Sequence, residues 1–364
     1  MRIAVLGGGN GSLAAAADFA LAGHEVVLWR RGQADVAQHH ALGNRLTLRD
    51  ATGQHEARLA DVTTDLASAM AGAALIFCPV PAPAHADIAA RVAPHLVAGQ
   101  VVHLPPGTLG SMVFAQAAQA AGTAAGVAFA ESGTLPWLVR KHGFADLLVS
   151  GRTTRLPTGI FPLALQERAL AVLSAAFPGT IEPCGDALSG ALMNAGPIIH
   201  PPLIIMNAAP LEHFPEWDIH NEGTTPAVRR VTDALDAERI AVREALGYGA
   251  PHFPLADHYT DAGEEWMYGH GSHSDLTDSG DWREKIVLTE HRYMLEDVRC
   301  GLSLLISAAR LAGVPVPVAQ GLAALGGAIC GQDFMVTGRP LAAVGLGDLD
   351  RAGLQKLLQD GFPA

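Results

Sequence analysis

MRIAVLGGGNGSLAAAADFALAGHEVVLW, residues 1–29, is the stretch whose reading decides the fold. Arg2–Leu6 is a short apolar run and reads as a buried parallel strand. The turn Gly7-Gly8-Gly9-Asn10-Gly11-Ser12 follows at once. An alanine-rich helix over Leu13–Ala22, a glycine stop at Gly23 and a second strand over His24–Trp29 complete the unit. Gly7, Gly9 and Gly11, with Asn10 among them, let a pyrophosphate approach the N–H groups at the helix N-terminus. Ser12 stands where a third glycine would ease helix–strand packing, and it closes the cofactor-binding turn. The expectation is an α/β chain opening with a Rossmann domain, a doubly wound parallel sheet that binds a dinucleotide.

The end of the second strand decides the ribose. A carboxylate there would accept from the 2′-OH of NAD. This chain offers Arg30 and Arg31, with no acid before Asp35. Guanidinium forks fit a 2′-phosphate, so NADP(H) is expected over NAD(H). Further strands read over Ala73–Val80 and Gln100–Leu104, each running into prolines. Ligands sit at the carboxyl ends of parallel strands, which puts Pro81 at the cofactor. His85, just beyond, is expected on the rim. Leu147–Ser150 reads as a strand, Leu163–Phe177 as a helix and Thr180–Pro183 as extended. A cluster of Pro183, Cys184 and Gly185 sets the boundary between a dinucleotide-binding domain, 1–185, and a helical substrate domain, 186–364.

In the second half, His200 sits inside the apolar stretch Asn194–Glu212 and precedes Pro201 and Pro202. Prolines suit a first helical turn, so His200 is expected at or just before a helix start. There the dipole disfavours imidazolium and a nearby carboxylate favours it, a balance that suits proton exchange near neutral pH. Thr224-Thr225-Pro226 marks another helix start. Residues 251–282 are polar and carry His252, His258, His270 and His273. Their spacings match no metal-ligand motif, so no metal is expected and a mobile substrate-side loop is. Arg292 and Asp297 are five apart and do not share a face of one straight α-helix, but they can converge if the segment enters the helix from a turn.

The formal net charge of −12 and the aromatic share of 5% argue against nucleic acid or an anionic membrane surface as partner. Cys78, Cys184, Cys300 and Cys330 form no CxxC pair, which fits free thiols in the cytoplasm. The chain opens straight into a strand with no signal-peptide pattern. Prolines break the uncharged runs Val92–Ala130 and Ser189–Leu211, which read as core rather than membrane spans.

Several stretches together resemble the opine dehydrogenase family. They are Gly7-Gly-Gly-Asn-Gly11, Asn194 with His200-Pro201, Glu222-Gly-Thr-Thr-Pro226, Asp236-Ala-Glu-Arg239 and Arg292-Tyr-Met-Leu-Glu-Asp297. They span nearly the whole chain in order. The resemblance implies a Rossmann domain, an all-helical C-terminal domain and an active site between them. It implies NAD(P)H-driven reductive condensation of an amino acid's amine with a 2-oxo acid such as pyruvate, with homodimers common in the superfamily. His200 matches the catalytic histidine, Asp297 its carboxylate partner and Arg292 the substrate-binding arginine. Glu131 and Asn194 are the further substrate contacts expected. Octopine-type members carry a glutamate directly before the Thr-Leu-Pro-Trp turn, where this chain has Gly133. Two other readings compete: a 2-oxo-acid or 2-hydroxy-acid reductase of the six-phosphogluconate-dehydrogenase-like group, and a non-catalytic NADP-binding sensor.

Overall fold

The computed structural model describes residues 1–278 and 280–363. The opening unit is β1 (Arg2–Leu6), a helix Asn10–Leu21 and β2 (Glu25–Trp29). Leu13 to Ala17 of that helix are all 0% exposed, although they circle most of its girth. The reason is that the helix lies between two sheets, and alanine lets both approach closely.

The remaining strands are β3 (Arg45–Asp50), β4 (Gly53–Arg58), β5 (Asp61–Thr63), β6 (Leu75–Phe77), β7 (Val101–Leu104), β8 (Ala128–Ser132), β9 (Trp137–Lys141), β10 (Asp146–Arg152), β11 (Leu156–Phe161) and β12 (Ile181–Asp186). The main sheet has the order β12-β11-β8-β7-β6-β1-β2-β5. It is parallel from β8 through β5, and the β8–β11 pair is antiparallel. Chain order reverses at β1, with β2 on one side and β6 on the other, so the crevice beyond their carboxyl ends is the ligand-binding switch point. A second sheet, β4-β3-β10-β9, covers the outer face of the opening helix.

From Ala187 onward the described regular elements are helical. Residues 187–206 form an apolar helical run whose most apolar window is 78% buried inside the protein. The last segment returns to the first half, where the Phe362 ring lies 5.4 Å from Phe161. The described residues of 251–282 include regular structure and buried side chains. They hold a 3-10 turn, Leu255–Tyr259, and a short helix, Ser272–Asp278, and they bury Leu255, Trp266, Met267 and Leu276.

One helix departs from the expected start. It runs Gly196–Met206, with Pro197 in its first turn and Pro201 and Pro202 inside it. His200 is therefore within the helix rather than before it. The two inner prolines have no N–H to offer the carbonyls of Pro197 and Ile198. Against this helix packs a π-helix, Tyr293–Leu302. The approach is close at two glycines. A Cβ on Gly196 would come within 2.3 Å of Asp297 Oδ1, and one on Gly301 within 2.3 Å of Pro197 Cγ.

Gly301→Ala should therefore destabilise the protein by about 1–3 kcal/mol through overpacking. Gly321→Ala is the contrast: it lies in the helix Pro317–Cys330 with nothing within 4 Å of an added Cβ. That change should stabilise by about 0.5–1 kcal/mol through helix propensity. Thermal unfolding midpoints of the two variants should move in opposite directions, and a shared direction refutes the packing account.

Candidate functional site

A cavity of about 420 Å³ opens at the switch point and runs back between the two halves of the chain. Gly9, Asn10, Gly11 and Pro81 line its first end, with Pro79, Pro105 and Pro106 from neighbouring strand ends. Gly9 caps the opening helix without a side-chain bond, and no acidic residue lies in the first turn. The first N–H groups of that helix are thus left for an anion, which fits a dinucleotide pyrophosphate. Gly7 (φ +111°) makes the turn that only glycine adopts without strain. Ser12 lies beneath it, 2% exposed, and donates to Leu6 O at 3.0 Å. That bond satisfies the hydroxyl, so Ser12 supports the turn and does not line the cavity.

Arg30 and Arg31 stand at the strand end but differ in use. Arg30 lies across Gly8 and pairs with Asp35 at 2.7 Å, and this bond holds the Asp35 carboxyl below its ordinary range. Arg31 is exposed. The sequence distance to Asp35 concealed that its carboxylate turns back to the strand end.

At the other end, His200 Nδ1 is 2.7 Å from Asp297 Oδ2. The Tyr293 ring stacks on His200 with centroids 3.8 Å apart, which fixes the imidazole plane. The Arg292 guanidinium carbon lies 5.1 Å from the Tyr293 ring centre, and Arg292 faces the same cavity. The π-helix explains how residues five apart converge. Its hydrogen-bond step is i→i+5, so Arg292, at its N-terminal boundary, and Asp297 fall on one side.

Burial pushes His200 well below its ordinary value, and the Arg292 charge adds to this. Burial pushes Asp297 up to about 7, with Arg292 opposing. Burial thus disfavours both charged forms, the imidazolium and the carboxylate, while Arg292 adds to the first effect and opposes the second. With Nδ1 committed to the carboxylate, Nε2 is the ring atom that can serve a substrate.

Three expected residues are placed differently. Glu131 is 0% exposed and accepts from the N–H groups of Leu109 (2.8 Å) and Ser111 (2.6 Å). It caps the helix Gly110–Ala120 and is buried away from the cavity, and burial lifts it to about 7. Asn194 lines the cavity, but its amide is committed. Oδ1 accepts from Gly196 N, and Nδ2 donates to Thr108 Oγ1, each at 3.0 Å. Asn194 therefore seats the His200 helix. His85 is fully buried rather than on the rim. Arg339 Nη1 donates to His85 Nδ1 at 3.1 Å, and Nε2 donates to Val80 O at 3.0 Å.

Sequence reasoning missed the network around Arg339. Its guanidinium donates to Gly107 O and Thr108 O at 3.0 Å and to Ala82 O at 2.6 Å. Glu296, beside Asp297, accepts from Ala82 N at 3.0 Å, and burial lifts it to about 7. Together they tie two cofactor-side loops to the π-helix. The aromatic wall of Trp266, Tyr268 and Trp282 was missed too. Gly133 has no room for a side chain, since a Cβ there would meet Met267 Cε at 2.8 Å and Met193 O at 3.0 Å. Among the described residues no group of three or more His, Cys, Asp or Glu could hold a metal.

Residues 183–330 match the family model of the NAD/NADP octopine/nopaline dehydrogenase α-helical domain. Residues 2–107 match the N-terminal domain of NAD-dependent glycerol-3-phosphate dehydrogenase. An opine dehydrogenase of Arthrobacter sp. (strain 1C) is 27% identical over 98% of both chains. A vitopine synthase of Allorhizobium ampelinum is 28% identical over 95% of this chain and 96% of its own. Among solved structures, octopine dehydrogenase with NADH and L-arginine shares the fold at a TM-score of 0.74 and 19% identity, covering 100% of this chain and 99% of that one. Yersinopine dehydrogenase with NADP+ does so at 0.66 and 16%, over 98% of each. The chain carries the α-helical domain of the NAD/NADP octopine/nopaline dehydrogenases, is similar over nearly its full length to opine dehydrogenases, and is a nicotinamide-dependent dehydrogenase acting on CH–NH bonds.

Proposed function

We propose that this enzyme condenses the amine of an amino acid with a 2-oxo acid such as pyruvate and reduces the product to a secondary amine dicarboxylate. The observation that carries this reading is the His200–Asp297 pair, 2.7 Å apart, beside Arg292 in a cavity continuous with the glycine turn. The nicotinamide, when bound, supplies a hydride to the imine carbon. Arg292 clamps the carboxylate of the oxo acid. His200, held in one tautomer by Asp297, moves protons during loss of water and reduction through Nε2. Octopine dehydrogenase holds NADH with pyruvate, and with L-arginine, in the same fold, which supports this substrate pair. We place the enzyme in the cytoplasm, where its four free cysteines are stable. Cofactor oxidation with pyruvate, measured with and without an amine panel, tests the reading. Turnover only with both substrates supports it; turnover with the oxo acid alone makes the enzyme an oxo-acid reductase; none makes it a sensor.

His200→Ala should lower turnover at least about a hundredfold while the cofactor still binds. The pair carries its extra proton below about 7, the value to which Asp297 is raised, and loses it above. Reduction consumes that proton. Reductive kcat/KM should thus fall as pH rises through this point, and the reverse oxidation should rise. Asp297→Asn should shift the inflection by about one unit or more. An inflection that stays put in that variant assigns the titration elsewhere.

Arg292→Ala should raise KM for the oxo acid roughly thirtyfold, about 2 kcal/mol for a lost charge-assisted contact. KM for the cofactor should move much less. Equal effects on both would remove Arg292 from the substrate.

For the cofactor, NADPH should exceed NADH by about ten- to a hundredfold in kcat/KM. With Arg30 held by Asp35, the exposed Arg31 is the readier phosphate contact, so Arg31→Ala should remove most of the preference. Equal or better use of NADH by the wild type overturns this assignment and leaves the condensation reading intact.

A further inference from the structure

One wall of the cavity, beside His200 and away from the glycine turn, is apolar and aromatic. Leu138, Leu276 and Trp282 form a small cluster apart from both main cores, and Tyr268 packs against it and against the larger core. All four residues line the cavity, as does Trp266. Trp282 also meets His220, with ring centres 5.3 Å apart, and His220 lies 5.9 Å from His200. The apolar wall therefore begins next to the reacting histidine.

The charges on the same surface point one way. Among the described residues the carboxylates that line the cavity are Glu296 and Asp297, and both are engaged, by Ala82 N–H and by His200. Arg140 lies 4.0 Å over the Trp282 ring and pairs with Glu284 at 3.0 Å. A guanidinium or ammonium group entering here would meet Arg140, Arg292 and several imidazoles, with no unengaged carboxylate among the described lining residues. Burying such a charge unpaired is costly, whereas an apolar side chain gains by leaving water.

We propose that the amine substrate carries a bulky, uncharged apolar or aromatic side chain, seated against Trp266, Tyr268, Leu276 and Trp282, and that cationic side chains are rejected. This rests on the condensation reading above. The test is kcat/KM with pyruvate and NADPH for L-phenylalanine, L-leucine, L-arginine and L-lysine. The first two should exceed the last two by at least about tenfold. Turnover in which L-arginine or L-lysine equals or beats them overturns the inference and leaves the condensation reading standing. No turnover with any amine overturns the condensation reading, and the inference falls with it. Leu138→Glu puts a carboxylate into the wall and should shift the phenylalanine-to-arginine ratio toward arginine by about tenfold or more. A folded variant with an unchanged ratio refutes the seat. Inhibition of the wild type gives the same answer without a variant. 4-Phenylbutyrate should compete with the amine at a Ki at least about tenfold below that of 4-guanidinobutyrate, and the reverse order overturns the proposal.

Discussion

The close approach of two helices is the constraint on which the site depends. The helix carrying His200 and the π-helix carrying Asp297 meet at Gly196 and Gly301, where no Cβ holds them apart. Only at that separation can a short imidazole and a shorter carboxylate span the gap at 2.7 Å. The π geometry adds the second requirement, since its longer hydrogen-bond step brings Arg292 to the same side as Asp297. Irregular turns are tolerated where surrounding packing over-determines them, and this one is packed on both sides.

The same helices are fastened to the cofactor side by buried polar groups rather than by apolar packing alone. Glu296 holds Ala82, Arg339 holds the carbonyls of Ala82, Gly107 and Thr108, and Asn194 holds Thr108. These bonds end on the loops that line the cofactor end of the cavity. A buried charge satisfied by several backbone groups tolerates little displacement, because each lost bond leaves a costly orphan. Directional bonds therefore fix the distance between the two ends of the cavity, which hydride transfer requires to be short.

The Rossmann half was legible because its elements follow ordinary periods: the apolar Arg2–Leu6, the glycine turn and the alanine helix each carry their own local signal. The second sheet was less so, because β4 alternates poorly and is mostly exposed. Candidate site residues could be named from the sequence, but their geometry could not be read there. A π-helix has no signature in a pattern read at 3.6 residues per turn, so the five-residue spacing of Arg292 and Asp297 looked divergent. Pro201 and Pro202 suggested a helix start that Pro197 in fact supplies. Glu131 lies close in sequence to the Thr-Leu-Pro-Trp turn, yet its side chain points to a helix N-terminus that sequence distance cannot reveal. Arg339 sits in a short polar stretch and resembles any surface charge until the chain folds back.

Electrostatics then links substrate binding to proton transfer. Burial comes first among the causes that lower His200, and the neighbouring Arg292 cation comes next. A carboxylate seated on Arg292 would cancel much of that repulsion without adding water to the site. Imidazolium would become easier to form only when the oxo acid is in place. Asp297 would rise further too, because Arg292 is what opposes its burial, so the pair as a whole would hold its shared proton more tightly. An arginine that orients the substrate would thus also set when the histidine can carry a proton. Geometry and timing would then come from one side chain, placed by the irregular helix that brings it beside Asp297.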